Sequence, residues 1–432
     1  MNRHRFVWNS QHSITSVTSR VSGYDAVLNS TAGHILYTIS ANKSHFDLVR
    51  DKYPAFIEMC IKYGWLTTKG SINGQITHVD QEYPLKRLQI ELTRQCNLRC
   101  SYCYSLSGPM EKVRLHIDDV ARLLDDAAQL GCIWIDFTGG EFFLYRWWRE
   151  ALALAQQHGF VITLHSNGTL ISKEILLYLS HVGIRHIQIS ADSHLDKIHD
   201  AIRGKEGALH KTLRGIRDIQ AAGINVRVAL MAHRENTDSY IDTVTWFMEV
   251  LGVPVTCDRI VAAGGERTAG VGLSTKEYFE LVAPLTGRKI GSTRICDNPG
   301  ESMEHVEPHC GVAQSFVYIT AEGEYALCPT MTSRDNALFQ GPTLSQMSLS
   351  EAWVNSTHFN KYRNLNCKNT GHCPKASRCG GGCRSNAYIE TGALDAPDLL
   401  SCNIQKNPDA EYVDFLPRYA AGIYGHAAKN EE

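Results

Sequence analysis

The chain has 432 residues, of which 43% are hydrophobic and 20% charged, and its formal net charge at pH 7 is -2. This length allows two or three domains with a sizeable core, and the small net charge gives no reason to expect nucleic acid or an anionic membrane as a partner. No apolar run is as long as a membrane span, and the opening MNRHRFVWNSQHS lacks the apolar segment of a secretory signal, so we expect a cytoplasmic protein.

Residues 1–75 are predicted to form a separate, winged-helix-like unit. The stretch Ser13 to Val27 is rich in Ser, Thr and Val, which favours short strands. Three helices follow, beginning near Ser30, Ser44 and Pro54. Trp65 and Leu66 would then return as a strand, and the polar, turn-rich stretch 70–84 is predicted to be a linker.

From residue 85 to residue 290 the chain alternates short apolar runs with stretches of helical periodicity. Strands separated by helices favour parallel pairing in a wound α/β domain. Six such units make a partial (β/α)6 barrel rather than the full eight-stranded form, and the C-terminal ends of its strands would carry the site. The six predicted strands are Leu88–Leu92, Cys132–Phe137, Val161–Leu164, His186–Ile189, Val226–Leu230 and Val255–Val261.

The first of these strands runs into a loop, ELTRQCNLRCSYCY, that contains Cys96, Cys100 and Cys103. An iron–sulfur cubane normally takes four thiolates, so three on one loop leave one iron without a protein ligand. An open metal position is where a catalytic site coordinates its substrate. From this stretch alone, a zinc loop and three incidental cysteines remain alternatives.

The spacing CNLRCSYC, with aromatic Tyr102 before the last cysteine, resembles the signature of radical S-adenosylmethionine (SAM) enzymes. In that family the three thiolates hold a [4Fe–4S] cluster whose fourth iron binds SAM. Reductive cleavage of SAM gives methionine and a 5′-deoxyadenosyl radical, which abstracts a hydrogen atom. The resemblance therefore implies an iron–sulfur oxidoreductase with SAM as cofactor and an electron donor such as flavodoxin or ferredoxin.

Two further strand ends resemble motifs that bind SAM in this family. The second strand ends in FTGGEFF, where Gly139 and Gly140 let the backbone approach a ligand and Glu141 follows as an acceptor. The third ends in HSNGT, where Ser166 and Asn167 are expected to hydrogen-bond the ribose or the carboxylate of SAM. A plain Gly-Gly turn and a helix-capping turn are the structural alternatives.

The fourth strand ends in ISADS and continues into HDAIRG, which resembles another SAM-binding run of the family. On this resemblance Ser190 and Arg203 hold the SAM carboxylate, and a guanidinium fork suits a carboxylate. Asp192 and Asp258 also lie near strand ends, but the role of each stays ambiguous. No catalytic base is assigned from the sequence.

A second group of cysteines occupies the C-terminal third, residues 291–410, ahead of a tail over 411–432. Fourteen cysteines in a chain without a secretory signal indicate metal ligands or redox groups rather than disulfides. Cys60, Cys132 and Cys257 lie in apolar contexts typical of core residues. The layout of the C-terminal group resembles the SPASM domain, an auxiliary-cluster extension of peptide-modifying radical SAM enzymes. Its matching positions are Cys310, Cys328, Cys367, Cys373, Cys379, Cys383 and Cys402.

The interleaved ligand assignment of that family implies two auxiliary [4Fe–4S] clusters. The first would be held by Cys310, Cys328, Cys383 and, as fourth ligand, Cys296; His305, His309 or an open iron are alternatives to Cys296. The second would be held by Cys367, Cys373, Cys379 and Cys402. One departure is that five residues separate Cys367 from Cys373, where the family usually has two. Structural zinc is the alternative metal for this third of the chain.

The N-terminal unit, with the pattern YDAVLNSTAGHIL…GWL, resembles a recognition domain that binds the leader of a precursor peptide as an added strand. Together with the SPASM-like cysteines, this resemblance implies a maturase of ribosomally synthesised peptides. Such an enzyme would form an intramolecular carbon–carbon or thioether cross-link in its peptide substrate. The alternatives are a structural N-terminal cap, a sulfatase-maturing enzyme that makes formylglycine, and a non-enzymatic zinc-binding protein.

Overall fold

The computed structural model describes residues 4–9, 14–19, 25–28, 30–42, 45–260, 270–285, 311–334, 336–374, 379 and 381–406. Two sheets organise these residues. The first has four strands, β1 (His4–Asn9), β2 (Ile14–Ser19), β3 (Asp25–Leu28) and β4 (Gln75–Val79), in the order β3-β2-β1-β4. The three predicted helices are present as α1 (Ser30–Ala41), α2 (His45–Lys52) and α3 (Pro54–Lys62).

The N-terminal unit differs from the prediction at its C-terminal end. Strand β4 lies inside the stretch 70–84 and pairs in parallel with β1, so the predicted linker and the boundary at residue 75 are wrong. QITHV alternates polar and apolar residues, but it is short and flanked by turn residues, so the sequence alone does not indicate a strand there. Trp65 and Leu66 do not form a strand; Leu66 makes one isolated bridge with Ile72, and both side chains are buried in the core of the unit.

The second sheet contains the barrel, and all six predicted strands are present. They are β5 (Arg87–Glu91), β6 (Trp134–Thr138), β7 (Val161–Ser166), β8 (His186–Ser190), β9 (Asn225–Ala232) and β10 (Val255–Arg259). Each pairs in parallel with the next along the chain. The connecting helices are α4 (Ile117–Gln129), α5 (Trp148–His158), α6 (Lys173–His181), α7 (Asp196–Arg203), α8 (Ala208–Ala221) and α9 (Tyr240–Thr245), and α10 (Thr275–Val282) follows β10.

The C-terminal segment extends the barrel sheet, although a separate domain is predicted there. Strand β11 (Phe316–Ile319) pairs in parallel with β5, and β12 (Tyr325–Ala326) pairs antiparallel with β11. The sheet order is therefore β10-β9-β8-β7-β6-β5-β11-β12. The remaining helices are α11 (Leu349–Asn355), α12 (Thr357–Arg363), α13 (Arg384–Thr391) and α14 (Leu399–Lys406). The cysteines of this segment consequently sit beside the first barrel strand.

The barrel interior is polar near the N-terminal ends of its strands, a region called the floor below. Every residue of β5 is buried, including the polar ones, because its second face points into the barrel rather than into water. Arg87 on β5 and Asp136 on β6 form a two-point ion pair there, with Nε 2.5 Å from Oδ2 and Nη2 3.1 Å from Oδ1. A buried charge has to be paired in this way to offset its desolvation.

The N-terminal unit packs against the N-terminal ends of the barrel strands. Val7 and Val79 share a small core with Ile133, Trp134 and Val161, which open strands β6 and β7. The Arg5 guanidinium donates to the carbonyl oxygens of Cys132 at 2.5 Å and Ala128 at 2.9 Å. This unit therefore lies at the end of the barrel away from the C-terminal strand ends. In the described part of the chain, no helix combines the length and apolarity needed to span a bilayer.

Candidate active site at the barrel mouth

The three cysteines of the loop after β5 line one cavity at the C-terminal ends of the strands. Each sulfur accepts a hydrogen bond from a different kind of N–H donor. The donors are Asn167 Nδ2 to Cys96 at 3.9 Å, Arg203 Nη1 to Cys100 at 3.6 Å, and the Ser107 amide to Cys103 at 3.3 Å. N–H donors directed at sulfur stabilise the thiolate form, which is the form that binds iron.

The electrostatics of the loop favour a bound cation. Burial raises the pKa of Cys96 to about 12, and its two neighbouring thiols add to the shift. Burial also raises the pKa of Cys100 to about 11, where Arg203 acts in the opposite direction and Cys103 in the same one. Cys96 is buried and the other two cysteines are half-buried. Three neighbouring thiolates repel each other, so their joint ionisation needs a positively charged centre between them. Among the described residues no three His, Cys, Asp or Glu side chains are grouped as a site for a single metal ion.

Glycine is required at both positions after β6 because the backbone of the segment that follows β5 passes too close for a side chain. A Cβ atom at Gly139 would lie 2.5 Å from the Thr93 carbonyl oxygen, and one at Gly140 would lie 2.4 Å from the Gln95 carbonyl oxygen. The Gly140 amide donates to Thr93 O at 2.6 Å. Both glycines line the cavity. The backbone that leaves no room for a side chain at these positions is the start of the cysteine loop.

Glu141 differs from the expectation that it presents an acceptor to SAM. Its carboxylate is fully buried and accepts hydrogen bonds from Ser166 Oγ at 2.8 Å, the Asn167 amide at 2.8 Å and the Phe143 amide at 3.2 Å. Burial raises the pKa of Glu141, and these donors oppose the shift. Glu141 is absent from the described lining of the cavity, so this geometry does not support its predicted contact with SAM. It joins the strand ends of β6 and β7 instead.

Ser166, Asn167 and Ser190 all line the cavity, as predicted. The Asn167 side chain, however, is engaged with its surroundings: Nδ2 donates to Asn97 Oδ1 at 2.9 Å, and Oδ1 accepts from the Thr169 amide at 2.9 Å. Asn97 belongs to the cysteine loop. Asn167 therefore ties that loop to β7, and its predicted contact with SAM stays a prediction.

Tyr102, Asp192 and Arg203 form a connected group beside Cys100. The Tyr102 hydroxyl donates to Asp192 Oδ1 at 2.8 Å, and Arg203 Nε lies 2.7 Å from Asp192 Oδ2. Asp192 is fully buried, and the Arg203 guanidinium is the charge that pairs with it. Its role is therefore to hold Tyr102 and Arg203.

The Arg203 guanidinium retains an unused donor. Its Nη2 is buried and has no hydrogen-bond partner among the described residues, and the contact of Nε with Asp192 lacks the alignment of a hydrogen bond. Arg203 and Tyr102 both line the cavity. A buried, unpaired N–H of this kind is costly unless a ligand accepts from it, and a carboxylate is the acceptor best matched to a guanidinium. This observation fits the carboxylate of a bound SAM.

The C-terminal cysteines fall into two places. Cys328 and Cys383 line the same cavity as the N-terminal three, whose volume is about 320 Å³. Cys379 lies with Cys402 and Cys367 outside that lining: burial raises its pKa to about 11, and both neighbouring thiols add to the shift. The interleaved ligand assignment divides these cysteines in the same way, and it stays a prediction. Cys373 is exposed, and Cys296, His305, His309 and Cys310 lie outside the described residues.

Two charged residues of the site are not assigned from the sequence: Arg334 is not predicted at all, and the role of Asp258 stays ambiguous. Arg334, from the C-terminal segment, pairs with the buried carboxylate of Glu91 and donates to the Ser105 carbonyl of the cysteine loop at 3.2 Å. Glu91 is a charged residue at the end of a buried strand, which is the only signal the sequence offers for this contact. Asp258, at the end of β10, lines the cavity opposite the cysteine loop. Cys60, Cys132 and Cys257 are buried core residues, as predicted.

The fold and the cavity together define a class of protein: a partial parallel barrel whose mouth carries three thiols spaced for an iron–sulfur cluster with an open position. Residues 90–247 match the family model of the radical SAM superfamily. Residues 90–247 therefore form a radical SAM domain, which confirms the predicted radical SAM family, the parallel α/β fold of the barrel and the prediction of an enzyme. SAM and a [4Fe–4S] cluster are the cofactors of this domain.

Similarity to known proteins extends beyond the domain. The chain is 26% identical over 344 residues to the PqqA peptide cyclase of Granulibacter bethesdensis, covering 73% of this chain and 86% of the relative. It is 30% identical over 224 residues to the Fe-coproporphyrin III synthase of Methanosarcina barkeri, covering 51% and 55% of the two chains. Among solved structures, Streptococcus suis SuiB bound to precursor peptide SuiA is similar in fold, with a TM-score of 0.63 at 14% identity over 93% of this chain and 99% of that one.

Proposed function

We propose that this protein is a radical SAM enzyme that modifies a ribosomally synthesised precursor peptide by forming an intramolecular carbon–carbon or thioether cross-link. The observation that carries the proposal is the single cavity bounded by Cys96, Cys100 and Cys103 on one side and by Cys328 and Cys383 on the other. A substrate in this cavity would lie between a radical source and an electron acceptor.

Cys96, Cys100 and Cys103 would hold the [4Fe–4S] cluster of the radical SAM domain. When bound, the cluster and SAM supply the 5′-deoxyadenosyl radical that abstracts a hydrogen atom from the substrate. Among the predicted SAM contacts, Arg203 is supported by its unused buried Nη2. The other residues proposed to surround SAM are Tyr102, Gly139, Gly140, Ser166, Asn167 and Ser190, all of which line the cavity.

The C-terminal cysteines would hold two auxiliary [4Fe–4S] clusters. Cys328 and Cys383, with Cys310 and Cys296, are proposed to hold the one that faces the cavity. Cys367, Cys373, Cys379 and Cys402 are proposed to hold the second, and the grouping of Cys367, Cys379 and Cys402 supports this division. An electron donor such as flavodoxin or ferredoxin would reduce the clusters, and we place the enzyme in the cytoplasm.

The peptide substrate is inferred from the parts of the chain outside the barrel. The match to a porphyrin enzyme spans about half of each chain, whereas the match to a peptide cyclase spans 73% of this chain. The four-stranded N-terminal sheet is also present, and among its described strands β3 pairs on one side only, with β2. A leader peptide could add there as a further strand. Neither nucleic acid nor a membrane is a proposed partner.

Replacing Cys96, Cys100 and Cys103 with Ala tests the radical step. After anaerobic reconstitution, the wild-type chain should bind the additional iron and convert SAM to 5′-deoxyadenosine, and the triple variant should do neither. Cys60→Ala and Cys132→Ala change thiols that are buried outside the cavity, so they serve as matched controls that keep both properties. Undiminished 5′-deoxyadenosine formation by the triple variant would refute the assigned cluster.

Mass spectrometry of the peptide tests the substrate. The probe is a synthetic peptide of the sequence encoded beside the gene of this chain, incubated with reconstituted enzyme, SAM and reductant. A cross-link removes two hydrogen atoms and leaves no aldehyde. Formation of an aldehyde would instead identify the sulfatase-maturing alternative, and an unchanged peptide alongside 5′-deoxyadenosine would reject a precursor peptide of this sequence.

A further inference from the structure

The cavity contains a carboxylate that the proposed cofactor contacts do not use. Asp258 lies on β10, opposite Met231 of β9 in the strand register, and both side chains line the cavity. β10 is the last strand of the barrel, so Asp258 faces the cavity from the side remote from β5 and its cysteine loop. Among the described residues that line the cavity, Asp258 is the only Asp or Glu.

Asp258 is half-buried, and its surroundings differ from those of Asp136 and Asp192, the two buried aspartates of the barrel. Asp136 pairs with Arg87, and Asp192 pairs with Arg203. Asp258 makes no ion pair within the described ranges; its Oδ1 accepts one hydrogen bond, from the Arg259 amide at 2.8 Å.

The neighbouring guanidinium is engaged elsewhere. Arg259 Nη2 lies 2.7 Å from Glu390 Oε1 on α13, and Nη1 donates to the Leu273 carbonyl. Burial raises the pKa of Asp258 to about 7, and the Arg259 amide and charge oppose that shift. A carboxyl group in this condition exchanges a proton near neutral pH, which is the requirement for a general base.

The proposed cross-linking reaction needs such a group. A bond between two substrate atoms forms at the expense of one hydrogen on each. The first leaves as a hydrogen atom and ends on 5′-deoxyadenosine. The second leaves as a proton and an electron after the new bond has formed, and the electron would be accepted by the auxiliary iron–sulfur cluster that Cys328 and Cys383 are proposed to help hold. The proton requires an acceptor in contact with the substrate.

The other titratable groups of the cavity are less suited to this role. His165 sits lower in the barrel with Nδ1 3.2 Å from Gln188 Nε2, and burial lowers its pKa. The cavity-lining Arg203 and Arg259 are permanently charged donors. Burial raises the pKa of Tyr102 well above its ordinary value, and its hydroxyl is already bonded to Asp192.

We infer that Asp258 is the catalytic base that takes the proton released from the peptide when the cross-link forms. This inference rests on the proposed function and adds to it the residue that completes the proton balance. The proton moves from a substrate C–H or S–H to a carboxylate oxygen of Asp258, from which solvent removes it after the product leaves.

A carboxyl titration tests the group without turnover. Infrared difference spectra of the full-length protein, recorded between pH 5 and 9, should contain a carboxyl band with a midpoint of about 7 that is absent from Asp258→Asn. The described titratable groups whose charge couples to Asp258 are Arg259 and Cys257 on its own strand, Tyr240 on α9 and Tyr278 on α10. None of these four is a carboxyl group, so none contributes a band of this kind. Absence of the band from wild type would overturn the inference.

A turnover measurement tests the role. With the synthetic precursor peptide, Asp258→Asn should form the cross-link at least about 100-fold more slowly than wild type, the usual contribution of a general base. The amount of 5′-deoxyadenosine made per cross-link should rise in the same variant, because hydrogen abstraction precedes proton loss. Asp258→Glu should restore part of the rate, and the wild-type rate should increase with pH through about 7 as the carboxylate forms.

Asp196→Asn makes the same chemical change at an exposed position on α7 and should leave the rate unchanged. If wild type cross-links the peptide and Asp258→Asn does so equally fast, the inference is wrong while the proposed function stands. If wild type cleaves SAM but forms no cross-link, the proposed function fails and the inference fails with it.

Discussion

Two buried Asp–Arg pairs lie in one barrel, at different heights, and only one of them is complete. At the floor, Arg87 and Asp136 meet through two aligned hydrogen bonds. At the mouth, Arg203 and Asp192 approach to 2.7 Å, but Arg203 Nε and Nη2 and Asp192 Oδ2 have no hydrogen bond among the described residues. A satisfied pair stabilises the fold, whereas an incompletely satisfied pair retains capacity for a ligand. We therefore expect the floor pair to stabilise the fold and the mouth pair to contribute to ligand binding.

Breaking the floor pair should have the largest effect on stability. Asp136→Asn leaves the Arg87 charge buried without a partner, and we expect the free energy of unfolding to fall by about 3–5 kcal/mol. Urea denaturation of wild type and variant at one pH measures this difference. A loss below about 1 kcal/mol would show that the floor pair is not the structural contact described here.

Changing the mouth guanidinium should affect binding more than folding. Arg203→Lys keeps a positive charge beside Asp192 but removes the second donor that we assign to the SAM carboxylate. The expected loss is about 10–100-fold in SAM affinity, equivalent to about 1.5–3 kcal/mol for a hydrogen bond to a charged group. Equilibrium dialysis of SAM against cluster-loaded protein measures it.

The matched control is Arg87→Lys, which makes the same substitution at the floor. It should lower the free energy of unfolding and leave SAM affinity at the wild-type value. Equal SAM affinity for Arg203→Lys and wild type would contradict the division between floor and mouth.

The mouth should also respond to acid through His199, which is fully buried and accepts from the Asp192 amide at 3.3 Å. Burial lowers the pKa of His199 from 6.5 to about 3. Below pH 6.5 the unfolded chain therefore binds a proton that the folded chain excludes, so stability is complete above 6.5 and falls as the pH decreases towards 3. By pH 5 the loss is about 2 kcal/mol.

Urea denaturation at several pH values, for wild type and His199→Asn, isolates this contribution. The variant should lose less stability between pH 7 and pH 5, because Asn does not titrate. Parallel curves for the two proteins would mean that His199 is protonated in the folded state.

An exposed ion pair on the outside of the barrel should matter least. Arg149 on α5 pairs with Glu174 on α6, and the Glu174 side chain is 80% exposed. Glu174→Gln should change the free energy of unfolding by less than about 1 kcal/mol. A larger effect in the same denaturation experiment would mean that burial does not decide which charge pairs stabilise this barrel.

The sequence predicts the barrel well because its signals are local. Six apolar runs separated by helical periodicity match six parallel strands, and the cysteine spacing locates the site. The errors concern pairings between distant segments. β4 joins β1 across about 70 residues, and Arg334 reaches Glu91 across 243. The one local signal for either contact is a charged residue, Glu91, at the end of a buried strand, and it does not identify the partner.

The site itself is predictable in position and less so in detail. The seven cavity-lining residues proposed for SAM were found from motifs, whereas Glu141 has a motif position but a buried structural role. Whether a carboxylate has a structural role or is available to a ligand or substrate depends on which donors surround it in three dimensions. Asp136, Asp192 and Asp258 look alike in the sequence, and only their partners distinguish them.

The most direct test of the account is electron paramagnetic resonance of the anaerobically reconstituted and reduced protein, recorded with and without SAM. SAM should change the signal of a [4Fe–4S] cluster, and this SAM-sensitive signal should be absent when Cys96, Cys100 and Cys103 are replaced with Ala. A cluster signal that ignores SAM, or a SAM-sensitive signal that survives in the triple variant, would contradict the assignment of the barrel mouth as the radical site.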